Sequence, residues 1–61
     1  MLIQRIKVFY PDGDTSEFVD IAGTVYADNT YVLAKKYEEG GAKIEVTHGI
    51  FKEVLNVMEG M

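Results

Sequence analysis

The 61-residue chain contains no cysteine, no tryptophan, one proline and one histidine. The absence of cysteine excludes a disulfide framework, a thiolate zinc site and a cysteine nucleophile. No apolar run approaches the ~20 residues that a membrane-spanning helix needs. Residues 1–7 alternate between apolar and polar, so they lack the uninterrupted apolar stretch of a signal peptide. We therefore expect a soluble cytoplasmic protein with no membrane partner.

Length and charge narrow the class of protein further. Residues 1–61 are expected to form a single compact domain with no linker and no second core. A chain of this size buries only about 60% of the surface it exposes when unfolded, so its stability is expected to be marginal. The net charge of −4 opposes direct binding of DNA or RNA, because phosphate neutralisation needs a concentrated basic patch.

A turn signature lies at residues 10–14, which read YPDGD. Pro11 and Asp12 suit the middle of a type I turn, and Gly13 suits the left-handed position that follows. This pattern predicts a three-residue hairpin loop with a glycine bulge, between strands at about 2–10 and 14–21. The resulting register places Lys7 opposite Glu17.

Strand alternation sorts the hairpin side chains onto two faces. One face is predicted to be apolar and to carry Leu2, Ile6, Val8, Tyr10 and Phe18. The other face is charged in its middle and apolar at its ends, and it carries Ile3, Arg5, Lys7, Phe9, Glu17, Val19 and Ile21.

The second half of the chain admits two interpretations in two places. Residues 24–39 are rich in β-formers and fit a hairpin, but the apolar spacing at 33, 34 and 37 favours a helix over 29–39. Asp28 is its predicted N-cap, Lys35 and Glu39 are a predicted i,i+4 ion pair, and Gly40 and Gly41 are the predicted stop. Residues 42–47 alternate as a third strand. Residues 50–59 favour a second helix with apolar positions 51, 54, 55 and 58, the alternative being a strand after a turn at His48-Gly49.

These elements predict an α+β fold, in which a three-stranded, antiparallel-type sheet carries both helices on one face. The predicted core comprises Leu2, Ile6, Val8, Phe18, Leu33, Ala34, Tyr37, Ile44, Val46, Phe51, Val54, Leu55 and Met58. The opposite face then remains uncovered, and its apolar residues are the predicted interface: Ile3, Phe9, Val19 and Ile21. Such a surface is usually covered by a second copy or another protein, although the second helix folding over it is the alternative.

Residues that carry catalytic chemistry are few. His48 lacks a recognisable partner and is best explained as a turn residue. Asp12, Asp14 and Glu17 do not follow the spacing of a calcium loop, and turn chemistry and ion pairing explain them. Thr15 and Ser16 lack an activating base. We therefore predict no enzymatic activity, no metal and no cofactor.

The remaining candidates for binding are Tyr26, Tyr31, Arg5 and Lys7, because tyrosine is enriched at interfaces and arginine binds anions through paired donors. The sequence favours a small acidic interaction module, a homo-oligomer that binds and modulates another protein, with inhibition as one mode. The alternative is an oligomer that binds a nucleotide or another anionic metabolite. A short acidic chain of this kind is compatible with small bacterial or bacteriophage accessory proteins, and no residue role rests on that comparison.

Overall fold

The computed structural model of the chain describes residues 1–50, which form three strands and one helix. The elements are β1 (Leu2–Phe9), β2 (Thr15–Ile21), α1 (Val25–Glu39) and β3 (Lys43–Ile50). The sheet order is β2-β1-β3, and β1 is antiparallel to both neighbours. The predicted small α+β fold with a three-stranded, antiparallel sheet is thereby confirmed. Residue 50, the first of the predicted second helix, belongs to β3, and residues 51–59 lie outside the described residues.

The first hairpin has the predicted loop and register. Gly13 adopts a φ of +97°, and its N–H donates to the Tyr10 carbonyl over 3.0 Å. The Tyr10 N–H donates to the Asp14 carbonyl over 2.8 Å, which closes the three-residue loop. Asp12 Oδ1 accepts a hydrogen bond from the Asp14 N–H over 3.0 Å, so this carboxylate stabilises the turn. Lys7 lies opposite Glu17, as predicted.

Helix α1 begins four residues earlier than the sequence pattern predicts. Its N-cap is Thr24, whose hydroxyl oxygen accepts a hydrogen bond from the Ala27 N–H over 3.2 Å. Asp28 lies within the first turn and is not the cap. The early start has a tertiary cause, since it buries Ala27 against the sheet. The predicted stop is correct, because the Gly40 N–H donates to carbonyls of the last turn and Gly41 adopts a φ of +108°.

One predicted ion pair of the helix differs in the structure. Lys35 Nζ donates to Glu38 Oε1 over 2.6 Å, where the sequence pattern suggested Glu39. This hydrogen bond and the negative charge of Glu38 raise the pKa of Lys35. Both side chains are exposed, so the pair has only a local effect on the helix surface.

Strand β3 is longer than predicted because it pairs with all of β1. The register runs from Phe9 opposite Lys43 to Leu2 opposite Ile50. His48 and Gly49 therefore lie inside the strand, and the turn considered at these two residues does not form. The tertiary pairing overrides the local turn preference of glycine.

The core is narrower than predicted. Its buried residues are Ile6, Val8, Ala34 and Ala42, with Tyr10, Phe18 and Ile44 packed around them. Four predicted core residues are substantially exposed: Leu2 at 54%, Leu33 at 41%, Val46 at 37% and Tyr37 at 36%. Within residues 25–39 the helix buries only Ala27 and Ala34. Because alanine side chains are small, the helix covers only the middle of the sheet. The larger apolar side chains around them stay exposed at its margins. The other predicted core positions, Phe51, Val54, Leu55 and Met58, lie outside the described residues.

The sheet face opposite α1 also differs from the prediction. Ile3 is only 2% exposed and Arg5 only 8% exposed, so the expectation that both lie on an uncovered face is wrong for these two residues. Val19 and Ile21 are 48% and 51% exposed, as an open surface requires. The exposed apolar surface on this face is therefore concentrated on strand β2.

Candidate interaction surface

Strand β2 presents a free backbone edge. The hydrogen bonds from Tyr10 N–H to Asp14 and from Ala22 N–H to Leu2 mark paired positions at both ends of the β1–β2 ladder. Because such positions alternate in an antiparallel pair, the even-numbered residues of β2 direct their backbone groups to β1. The odd-numbered residues direct theirs outward, and among the described residues no strand pairs with them. We call this edge, with the exposed side chains of Val19 and Ile21, the β2 edge surface.

Helix α1 carries an apolar flank beside the same edge. Tyr26, Leu33 and Tyr37 are spaced by seven and four residues, so they lie on one side of the helix, and we call them the helix flank. Tyr37 packs edge-on against Tyr10, with ring centroids 5.3 Å apart. The Tyr10 hydroxyl donates to Ser16 Oγ on β2 over 3.1 Å. These two contacts place the helix flank on the β2 side of the helix.

The other margin of the sheet is apolar as well. Leu2 and Ile50 are directly opposite each other on β1 and β3, and both are more than half exposed. Val46 is 37% exposed on the same strand and the same face. We call these three residues the β3 surface. The part of the chain that the structure describes thus exposes apolar side chains along both edge strands.

Three charged residues of the opposite face form one network. Arg5 Nη2 donates to Glu17 Oε2, while Lys7 Nζ lies 3.9 Å from Glu17 Oε1. Lys7 Nζ also lies 5.3 Å from the centroid of the Phe9 ring, within the range of a cation–π contact. The sequence pattern assigned Glu17 to Lys7, but the shorter contact is the diagonal one from Arg5. Three of the predicted binding or interface residues are therefore engaged within the chain.

Arg5 retains hydrogen-bonding capacity that its neighbours do not use. Its Nε and Nη1 atoms are buried, and no acceptor among residues 1–50 contacts them. A buried guanidinium group normally has its donors satisfied. Burying these two donors without acceptors therefore costs free energy that most buried polar groups do not cost.

The four predicted ligand-binding residues are not brought together within one chain. Arg5 and Lys7 point to the face opposite α1, whereas Tyr26 and Tyr31 lie on the helix. The two tyrosines are 76% and 43% exposed, and a separation of five residues places them ~140° apart around the helix axis. A pocket lined by all four side chains would require a second copy.

His48 takes part in a polar chain that connects three elements. Its Nε2 lies 3.0 Å from Gln4 Oε1, and Gln4 Nε2 donates to the Ala27 carbonyl over 2.9 Å. Gln4 is buried, so both of its polar ends are satisfied by this arrangement. The arrangement fits a structural role for His48. Because Gln4 belongs to no motif, the sequence pattern did not indicate this role.

No group of three or more metal-ligating side chains occurs among residues 1–50. Nor does this region contain a helix that is long and apolar enough to cross a lipid bilayer. Comparison of the chain with protein-family models, with curated proteins and with solved structures found no match.

Proposed function

We propose that the protein is a non-enzymatic cytoplasmic interaction module, which self-associates and binds and modulates another protein. The observation that carries this proposal is the distribution of its apolar side chains. Only four hydrophobic residues form the buried part of the main core cluster, whereas apolar side chains are exposed along both edge strands. Large exposed apolar surfaces on small domains are typical of proteins that are completed by a partner.

The two edges suit two different partners. The β2 edge surface combines a free strand edge with the adjacent helix flank, and we assign it to a second copy of the chain. The β3 surface lies at the opposite margin of the sheet, and we assign it to the target protein. Because β2 and β3 flank β1 on opposite sides, both surfaces can be occupied at the same time. Inhibition of the target would follow if the β3 surface covers a functional site on it.

Self-association is tested by adding a charge to the β2 edge surface. Val19→Asp and Ile21→Asp are each expected to convert an oligomer into a soluble monomer, as measured by sedimentation equilibrium. Val32→Asp is the matched control, because Val32 is similarly exposed, at 54% against 48% for Val19, but lies on α1 ~140° around the axis from the buried Ala27. A parent chain that is monomeric at every concentration would contradict the proposal, and so would a mass unchanged by both β2 variants.

Target binding is tested by immobilising the chain and passing lysate of its own source over it, with and without nuclease. A single protein retained in stoichiometric amount after nuclease treatment supports the proposal if Val46→Asp abolishes its retention and Val32→Asp does not. Modulation is then tested by measuring the activity of the purified target with increasing amounts of the chain. Retention that both variants leave unchanged would contradict the assignment of the β3 surface.

A second candidate function is the binding of a small anion by the oligomer. The observation that favours it is the buried Arg5 guanidinium, with two donors unused by residues 1–50. A ligand that binds the folded state raises the melting temperature according to its concentration and affinity. A panel of nucleotides and inorganic pyrophosphate that leaves the melting temperature unchanged at saturating concentration would argue against this function.

A further inference from the structure

We infer that the second copy pairs with the chain through strand β2, in antiparallel orientation, with Phe18 of one copy directly opposite Phe18 of the other. This inference rests on the self-association proposed above and specifies its geometry. It predicts a continuous six-stranded sheet of order β3-β1-β2-β2-β1-β3. The strand pattern, the charges of β2 and the helix flank each support it.

The backbone pattern restricts the possible pairings. The odd-numbered residues of β2 direct their N–H and C=O groups to the free edge, so an antiparallel partner must hydrogen-bond to odd-numbered residues of its own. Directly opposite residues in such a pairing share the same parity. Because side chains of equal parity lie on the same face, the two α1 helices come to lie on the same side of the combined sheet.

Charge excludes two of the remaining registers. Centring the pairing on Glu17 places the two Glu17 carboxylates directly opposite each other, and centring it on Asp20 does the same with the Asp20 carboxylates. Like charges in directly opposite positions destabilise a strand pair. Centring on Phe18 opposes no like charges, since it sets Glu17 against Val19 and Ser16 against Asp20.

The number of β2 residues that pair distinguishes the registers that charge allows. Centring on Phe18 pairs all seven residues of β2, because Thr15 then lies opposite Ile21. Centring on Val19 pairs only residues 17–21, and centring on Ser16 pairs only 15–17. The Phe18 register therefore satisfies the largest number of free backbone groups.

The helix flank supports the same partner. The contacts of Tyr37 place this flank on the β2 side of α1, and the two-fold axis of the pairing brings both flanks to the same side of the sheet. Tyr26, Leu33 and Tyr37 are 76%, 41% and 36% exposed in the single chain. Aromatic residues of this kind are enriched in the buried centre of protein interfaces. Strand pairing and helix packing thus act on one continuous surface.

The absence of cysteine makes disulfide trapping a clean test. In the Phe18 register, Thr15 of each copy lies opposite Ile21 of the other in a hydrogen-bonded pair, at a Cα separation of about 5.5 Å, which suits a disulfide. We expect the double variant Thr15→Cys/Ile21→Cys to form a covalent dimer on mild oxidation. The single variants Thr15→Cys and Ile21→Cys are the matched controls, since like positions are separated by six residues, or ~20 Å.

The outcomes separate this geometry from self-association itself. Cross-linking of the double variant with both single variants uncrosslinked supports the inference. A parent chain that sediments as a dimer while the double variant stays uncrosslinked overturns the geometry and leaves the proposed function standing. Cross-linking of Val19→Cys with itself overturns the register in favour of one centred on Val19. A monomeric parent chain overturns both proposals.

A second pair of cysteines keeps the test informative if the first double variant does not fold. Ser16→Cys/Asp20→Cys probes the same register on the helix side of the sheet, because residues 16 and 20 are also directly opposite. Failure of both double variants to cross-link, each with a folded circular dichroism spectrum and a dimeric parent, overturns the inference.

Discussion

At the scale of single residues, the buried polar side chains carry much of the specificity of this fold. Gln4 joins β1 to both β3 and α1 through its amide, and Arg5 joins β1 to β2 through Glu17. The contacts of Gln4 connect residues that are 23 and 44 positions apart in the chain, whereas the contact of Arg5 lies within the hairpin. A side chain that bridges elements in this way favours one arrangement of the sheet and helix over others.

Replacing Gln4 tests the first bridge. Gln4→Ala is expected to lower the free energy of unfolding by about 1–3 kcal/mol, because it leaves a buried cavity and removes hydrogen bonds to Ala27 and His48. The measurement is the midpoint of urea denaturation. Asn29→Ala, a change at an exposed helical position, serves as the control. Equal midpoints for Gln4→Ala and the parent chain would contradict this role for Gln4.

The second bridge is tested by neutralising Glu17. Glu17→Gln is expected to cost about 1–3 kcal/mol, since Arg5 is buried and loses its charged acceptor. Glu45→Gln is the matched control: Glu45 lies opposite Lys7 on the other neighbouring strand, is exposed, and forms no ion pair among residues 1–50. Equal losses of unfolding free energy for the two variants in chemical denaturation would show that the contact between Arg5 and Glu17 contributes no more to stability than an unpaired surface charge.

At the scale of elements, local sequence preference does not predict the start of α1 or the end of β3. Residues 25 and 26 favour β-structure, yet they form the first turn of the helix. Residues 48 and 49 resemble a turn, yet they extend β3. In both cases tertiary contacts outweigh a local preference of less than about 1 kcal/mol per residue.

The position of the helix start is open to a direct test. Thr24→Ala is expected to destabilise the protein by about 0.5–2 kcal/mol, because it removes the side-chain acceptor for the Ala27 N–H. Asp28→Ala removes only a favourable charge in the first turn, and a smaller loss of about 0.3–1 kcal/mol is expected. Thermal unfolding followed by circular dichroism measures both. A larger loss for Asp28→Ala would favour a helix that starts at residue 29.

At the scale of the whole molecule, the balance between core and surface is the main feature. The helix reaches the sheet through two alanines, so it cannot cover the apolar side chains at either margin. A domain of this size gains little stability from its own core. Burial of the margins by partners is then expected to contribute to folding as well as to function.

This coupling predicts a melting temperature that depends on protein concentration. If dimers form through β2, a hundredfold increase in concentration is expected to raise the melting temperature by ~5–10 °C, since association stabilises only the folded chain. Val19→Asp is expected to melt at one temperature throughout the same range. Differential scanning calorimetry measures both proteins, and a parent chain without concentration dependence would contradict the prediction.

The hairpin is predictable from local sequence, because the loop at residues 10–14 and the alternation of β1 and β2 are local patterns that reinforce one another. The order of the described elements and the glycine stop of α1 are predictable in the same way. Tertiary contacts fix where the helix begins, how far β3 extends and which apolar residues remain exposed. These features depend on contacts between distant residues, such as Gln4 with Ala27, whose energies no local pattern contains. For the same reason, the position of the helix flank beside β2 follows from the contact of Tyr37 with Tyr10 and not from the sequence pattern.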